Sequence, residues 1–202
     1  MNRHLLHGLD LLAELSVVGS FSRYGYRLRQ RGFSPHDLDM DLARGVYVVT
    51  GATSGIGLAT AQRLLDLRAT VVIVGRSAKR LTEASLHLGG RALVEQADLS
   101  DLEQVNALAD RLLRQFDSLQ GLVHNAGLLV DERVITPQGH EQAFATHVLA
   151  PYLLTQRLLP HLAASPHGRV VFVSSGGMYT QRLDLERCQA LHGAYDGVVA
   201  YA

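Results

Sequence analysis

A single cysteine, Cys188, is all that the 202 residues hold, so no disulfide forms within the chain and a reducing compartment is its natural setting. Net charge is missing too: nineteen basic residues balance nineteen acidic ones. That balance lacks the positive field a nucleic-acid binder uses, and it gives no bias toward acidic substrates. No run of about eighteen apolar residues occurs, so no membrane-spanning helix is expected. His7, Asp10 and Glu14 interrupt the early leucines, which argues against a cleaved leader. There is no internal repeat and no low-complexity tract. The cytoplasm is the expected location, with membrane association through the N-terminal stretch as an addition to it.

What the chain does have is 47% hydrophobic residues, enough to bury the core of one domain with a small appendage. Residues 1–44 read as that appendage, an amphipathic extension and linker, and 45–202 as the main domain. Leu5, Leu9 and Leu12 recur at helical spacing within 4–18, opposite His7, Asp10 and Glu14. Arg23, Arg27, Arg29 and Arg31, interleaved with Tyr24 and Tyr26, follow as a segment suited either to an anionic membrane surface or to a solvated face of the main domain. Gly32 to Pro35 end that pattern, and Pro35 to Arg44 reads as a linker.

The main domain is organised around Val46 to Leu58. Its first residues are β-branched and aromatic, as in a strand buried on both faces of a parallel sheet. Gly51, Gly55 and Gly57 then fall at G-x-x-x-G-x-G spacing before an apolar helix, with Thr50, Thr53 and Ser54 supplying hydroxyls. A strand turning sharply into a helix aims backbone N–H groups and the positive helix end at one point, where a phosphate can sit. Glycine serves the tight turn, the close passage of a pyrophosphate and the close packing of helix on strand.

Strands at about 46–50, 70–74, 92–96, 119–124 and 169–174 alternate with helices at 55–67, from Ser77 to before Gly89, from Ser100 to Phe116, and at roughly 140–164. Ser77 and Ser100 are the expected caps, Ser100 with Glu103 as a capping box. Pro151 and Pro160 are expected to kink or shorten the last helix. This alternation specifies an α/β fold, a doubly wound parallel sheet of the Rossmann type with an N-terminal helical extension.

Ligands of such sheets lie at the carboxyl ends of the strands. The second strand ends in Gly75-Arg76, with no acid for a ribose 2′-hydroxyl but with a guanidinium for a 2′-phosphate, which favours NADP over NAD. Asp98 and Leu99 end the third strand, an acceptor for an adenine amino group beside an apolar contact. Asn125, Ala126 and Gly127 follow the fourth, an amide to tie loops together and small residues to admit a cofactor.

Together T-G-A-T-S-G-I-G at 50–57, Asp98-Leu99 and Asn125-Ala126-Gly127 resemble the short-chain dehydrogenase/reductase family. Val173-Ser174-Ser175-Gly176-Gly177-Met178 and Pro35-His36-Asp37-Leu38 resemble its retinol-dehydrogenase-like branch, and the likeness covers about residues 35–202. It implies hydride transfer between NADP(H) and a small carbonyl or alcohol substrate, and a cofactor contact at Ile56 beside Gly51, Thr53, Ser54, Gly55 and Gly57. It also implies catalytic roles for Ser175, which holds the substrate oxygen, and for a tyrosine that exchanges a proton with it. Of Tyr179, Tyr195 and Tyr201, the match falls on Tyr201, because Tyr201-Ala202 opens the family's Y-A-x-x-K form. The lysine of that form, which favours the phenolate of a group with pKa about 10, lies past Ala202, as do the last two strands of the family's sheet order. The chain is therefore expected to be a C-terminally truncated member with an exposed apolar edge at 170–173. His147 stands where the family has a relay asparagine. A dinucleotide-binding module without catalysis is the alternative function, and a homo-oligomer is a further expectation.

Overall fold

Five β-branched runs become five parallel strands, β1 (Val46–Thr50), β2 (Thr70–Gly75), β3 (Leu93–Gln96), β4 (Gly121–His124) and β5 (Arg169–Phe172), in the order β3-β2-β1-β4-β5. The helices in chain order are α1 (Arg23–Gln30), α2 (Gly55–Asp66), α3 (Ala78–His87), α4 (Leu102–Gln115), α5 (Gln142–Phe144), α6 (Ala150–Ala163) and α7 (Gly197–Tyr201). This computed structural model describes residues 22–34, 36, 39–179, 181–184, 188–189 and 191–201. The helix expected over 4–18 lies outside them, as do Pro35, Asp37, Leu38 and Ala202. Contacts divide the chain into one unit of residues 41–174 with 183–202 and a smaller one of 1–40 with 175–182.

In the larger unit β1 pairs with β2 and β4, with Val48 opposite both Val72 and Leu122. Side chains alternate across a strand, so neighbouring residues serve different cores. Val48, Val72, Val74 and Leu122 pack with Val105, Leu108 and Leu112 of α4 and with Leu154, Leu158 and Leu162 of α6. Val49, Val71, Ile73 and Val123 pack on the other face with Ala61 and Leu65 of α2 and Leu81 and Ala84 of α3. Apolar runs without a polar alternate thus report a sheet covered on both sides.

Three local expectations need correction. Ser77 does cap α3, its hydroxyl accepting from Arg80 N–H at 3.4 Å, but α4 is capped by Asp101, which accepts from Glu103 N–H at 3.0 Å. Ser100 is already committed, its N–H and hydroxyl both donating to Asp98 Oδ1 at 2.9 and 2.8 Å. That Asx-type turn moves the helix start on by one residue. The long helix of 140–164 is broken into α5, a π-helical turn at Ala145–Leu149 and α6. A proline ring clashes with the carbonyl four residues back, and the wide turn ahead of Pro151 relieves that clash, Ala150 N–H reaching Ala145 C=O. Pro160 lies inside α6 without ending it. In the smaller unit the arginine and tyrosine segment is itself helical: α1 starts at Ser22, whose hydroxyl accepts from Tyr24 and Gly25 N–H.

β5 pairs with β4, and its other edge has no partner strand among the described residues. Val171, Phe172 and Val173 are 48%, 59% and 42% exposed. A free apolar edge templates pairing with another chain, and a lysine on it blunts that tendency. Val171→Lys is therefore expected to lower self-association of the chain in sedimentation velocity at equal concentration. Unchanged association would place the sticky surface elsewhere.

Candidate dinucleotide-binding and active site

Thr50 ends β1 buried, and its hydroxyl joins two strand tips. It donates to Val123 C=O at 3.3 Å and accepts from Asn125 and Ala126 N–H at 3.1 Å each. Asn125 Nδ2 returns the tie, donating to Thr50 C=O at 3.0 Å and Gly51 C=O at 3.1 Å. The backbones come so close that two glycines are forced. Gly51 has φ +64°, and a Cβ there would stand 2.6 Å from Ala126 Cα. A Cβ on Gly57 would stand 2.6 Å from Gly51 O and overlap the Asn125 amide.

Gly55 differs: φ is +55°, but nothing lies within 4 Å of where its Cβ would stand. Ser54, the N-cap of α2, makes no side-chain cap bond, and the first bond to its carbonyl comes from Leu58 N–H. The N–H groups of Gly55, Ile56 and Gly57 are thus left for a ligand. Gly51, Thr53, Ser54 and Ile56 line a cleft of about 360 Å³, joined by Arg76, Asp98 with Leu99, and Asn125 to Gly127 from the next strand tips. Gly55 and Gly57 shape the turn without lining that cleft. Open space at Gly55, uncommitted amides and small residues at the β4 tip fit the pyrophosphate of a dinucleotide.

Where a ribose-binding acid would end β2, Gly75 leaves no room, since even a Cβ would lie 2.9 Å from Thr53 Cγ2. Arg76 is exposed at the rim, and so is Arg80, which the sequence reading missed although it lies in the first turn of the helix that Ser77 caps. Asp98 spends Oδ1 on Ser100, and Leu99 is largely buried against the core.

On the far side of the cleft from β2, His147 sits in the π-helical turn. Its Nε2 accepts from Leu128 N–H at 2.9 Å, which places the ring proton on Nδ1. Burial lowers the His147 pKa, while the charge of Glu141 opposes that shift. The Tyr201 ring packs edge-on against His147 with centroids 5.2 Å apart. Glu141 and Arg133 were not found from sequence, and Tyr195 was weighed there only as a candidate proton-exchanging tyrosine. Glu141, 1% exposed, accepts from Ala143 and Phe144 N–H at 2.8 Å each and from the Tyr195 hydroxyl at 3.0 Å. Burial and that carboxylate push the Tyr195 phenol up to about 12, so it stays a donor. Arg133 lies 5.3 Å from the Tyr195 ring centroid and donates to His192 C=O and Gly193 C=O.

The model of the short chain dehydrogenase family matches residues 45–182. The chain belongs to the short-chain dehydrogenase family. Human dehydrogenase/reductase SDR family member 12 is 34% identical over 187 residues, covering 90% of this chain and 59% of the human protein. Mouse retinol dehydrogenase 14 is 35% identical over 143 residues, 63% of this chain and 43% of the mouse protein. Among solved structures, a protein from Mycobacterium paratuberculosis aligns with TM-score 0.71 at 31% identity, covering 84% of this chain and 60% of that one. A short-chain dehydrogenase of Escherichia coli CFT073, complexed with NADPH, aligns with TM-score 0.64 at 29% identity, covering 83% and 67%. The chain thus spans about three-fifths of the human relative's length. No helix among the described residues is long and apolar enough to cross a membrane.

In this short-chain dehydrogenase chain Ser175 falls in the smaller unit, where its hydroxyl accepts from Gly177 N–H at 3.1 Å, and Tyr179 lies in the short 3-10 turn Gly176–Tyr179. His124 is a second buried imidazole, 5% exposed at the end of β4, bonded to the Thr155 hydroxyl at 2.9 Å and stacked on Phe172. Burial lowers its pKa to about 4. The unfolded chain takes up this proton below about pH 6.5, whereas the folded one does not until about pH 4. Stability from this group is therefore lost as pH falls between those values, by up to about 3 kcal/mol. His124→Asn is expected to flatten the pH dependence of chemical denaturation over that window. An unchanged slope would mean that the imidazole titrates normally.

Proposed function

We propose that the cleft binds NADP(H) and that the chain takes part in hydride transfer between this cofactor and a carbonyl or alcohol substrate. The observation that carries the reading is the glycine turn of α2, whose uncommitted amides adjoin a cleft rimmed by Arg76 and Arg80. The turn amides and Ser54 hold the diphosphate. Arg76 and Arg80 pair with a 2′-phosphate through charge-assisted bonds, and the absence of an acid at Gly75 removes the group an NAD site would use. Asp98 accepts from the adenine amino group beside Leu99. Asn125, Ala126 and Gly127 keep the floor of the cleft thin. The complex of the Escherichia coli CFT073 relative with NADPH supports the same cofactor class.

The nicotinamide supplies or accepts the hydride. The chain's own residues hold and move the proton. Tyr201 exchanges it with the substrate oxygen as general acid or base. The family resemblance assigns the holding of that oxygen to Ser175, whose hydroxyl accepts from Gly177 N–H at 3.1 Å. His147 keeps Nε2 occupied by Leu128 and offers the Nδ1 proton to a relay.

Charge-assisted bonds to a phosphate contribute roughly 1.5–3 kcal/mol each. Arg76→Glu is accordingly expected to weaken NADPH about 10- to 100-fold with NADH little changed, and Gly55→Val to weaken both. The measurement is titration of nucleotide fluorescence. Equal affinity for the two nucleotides in the parent chain, untouched by Arg76→Glu, would remove the 2′-phosphate assignment. NADPH binding without reduction of any carbonyl would favour the binding module.

We also propose that α1 contacts an anionic bilayer. Arg23, Arg27 and Arg31 follow one another at four-residue spacing, all exposed, with exposed Tyr24 and Tyr26 on either side, and residues 22–34 contain no acid. Each arginine near such a surface contributes about 1 kcal/mol. Reversing all three to Glu is expected to cut co-sedimentation with phosphatidylserine vesicles roughly a hundredfold. Equal sedimentation with neutral vesicles would defeat this contact.

A further inference from the structure

We propose that Tyr195, Glu141 and Arg133 are positioning residues that act as a latch, docking the segment 192–201 so that Tyr201 is held against His147; this rests on Tyr201 being the proton-exchanging tyrosine. Three contacts of different kinds hold the segment. The Tyr195 hydroxyl donates to Glu141 Oε1 at 3.0 Å. Arg133 donates to His192 C=O at 3.2 Å and Gly193 C=O at 2.8 Å while lying against the Tyr195 ring. Gly197, buried at the start of α7, presses so closely on the backbone of Val130 that any side chain there would collide with the Val130 carbonyl.

Those three partners share one origin. Val130 and Arg133 belong to the loop leaving β4, and Glu141 caps the helix that this loop enters. The same stretch carries His147, whose Nε2 is tied to Leu128 in the cleft wall. The latch and the ring contact of Tyr201 are therefore built on one piece of backbone. Asp196 caps α7 by accepting from Val198 and Val199 N–H, and the three contacts above set where that helix lies. Glu141 is well suited, because a buried carboxylate with three donors cannot give one up without leaving a charge short of partners. Tyr195 is thus a fixed anchor six residues ahead of Tyr201.

The test is made in the whole chain with 3-fluorotyrosine incorporated, the Tyr201 resonance being assigned by its loss in Tyr201→Phe. Tyr195→Phe removes one donor and keeps the ring; Arg133→Gln removes the carbonyl clamp. Both are expected to move the Tyr201 resonance toward its unfolded position and to speed amide exchange over 196–201 about tenfold, while NADPH affinity stays near that of the parent. A role in general stability alone would lower the melting temperature and leave the resonance of the folded chain in place. An unchanged Tyr201 resonance and unchanged exchange in both variants would overturn the latch. The catalytic reading of Tyr201 fails separately, if Tyr201→Phe reduces carbonyls as well as the parent does, whatever the resonance shows.

Discussion

Everything at the open end of the sheet depends on one hydroxyl. Thr50 is placed by β1 at the level of the β4 tip, where it can give its proton to Val123 and receive two amides from Asn125 and Ala126. A buried hydroxyl with both acceptor positions and its donor used is fixed in direction. The Asn125 amide then binds back to the β1 backbone. Two strand ends become a single rigid corner, and the glycines beside it are consequences of how close the backbones come. The cleft is the space that this corner leaves open.

Polar satisfaction explains the larger features as well. Three hydrogen-bonded polar groups near the cleft mark places where the chain changes direction: Asp98 with Ser100 before α4, Glu141 at the entry to α5, and His147 in the wide turn. Apolar packing fixes the sheet between its two helical layers but is indifferent to such details. The corners decide where chemistry-bearing groups point.

Most of the fold was legible because the signals were redundant. β-branched runs, glycine punctuation and amphipathic helices repeat across 46–172, and each repeat constrains the next. Caps were less legible: Ser100 and Asp101 are adjacent and equally good by type, and only the turn made by Asp98 decides between them. The segment around Arg23, read as part of a helical extension that Gly32 to Pro35 end, does form a helix. At the site, residues with a role in a local motif, such as Gly51, Gly57 and Asn125, were readable. The grouping of Glu141, Tyr195 and Arg133 was not, since they are separated in sequence and meet only through the fold.

The π-helical turn at Ala145–Leu149 has a further meaning for the rod that α5 and α6 build. Successive residues on an α-helix step by about 100°, so the face chosen by Ala143 would dictate the face of Leu154, Leu158 and Leu162 in an unbroken helix. One extra residue resets that phase. The earlier half can aim an imidazole at the strand-tip loop while the later half keeps its leucines in register with the core. Removing one residue here would straighten the rod and force a choice between cleft-facing and core-facing alignment.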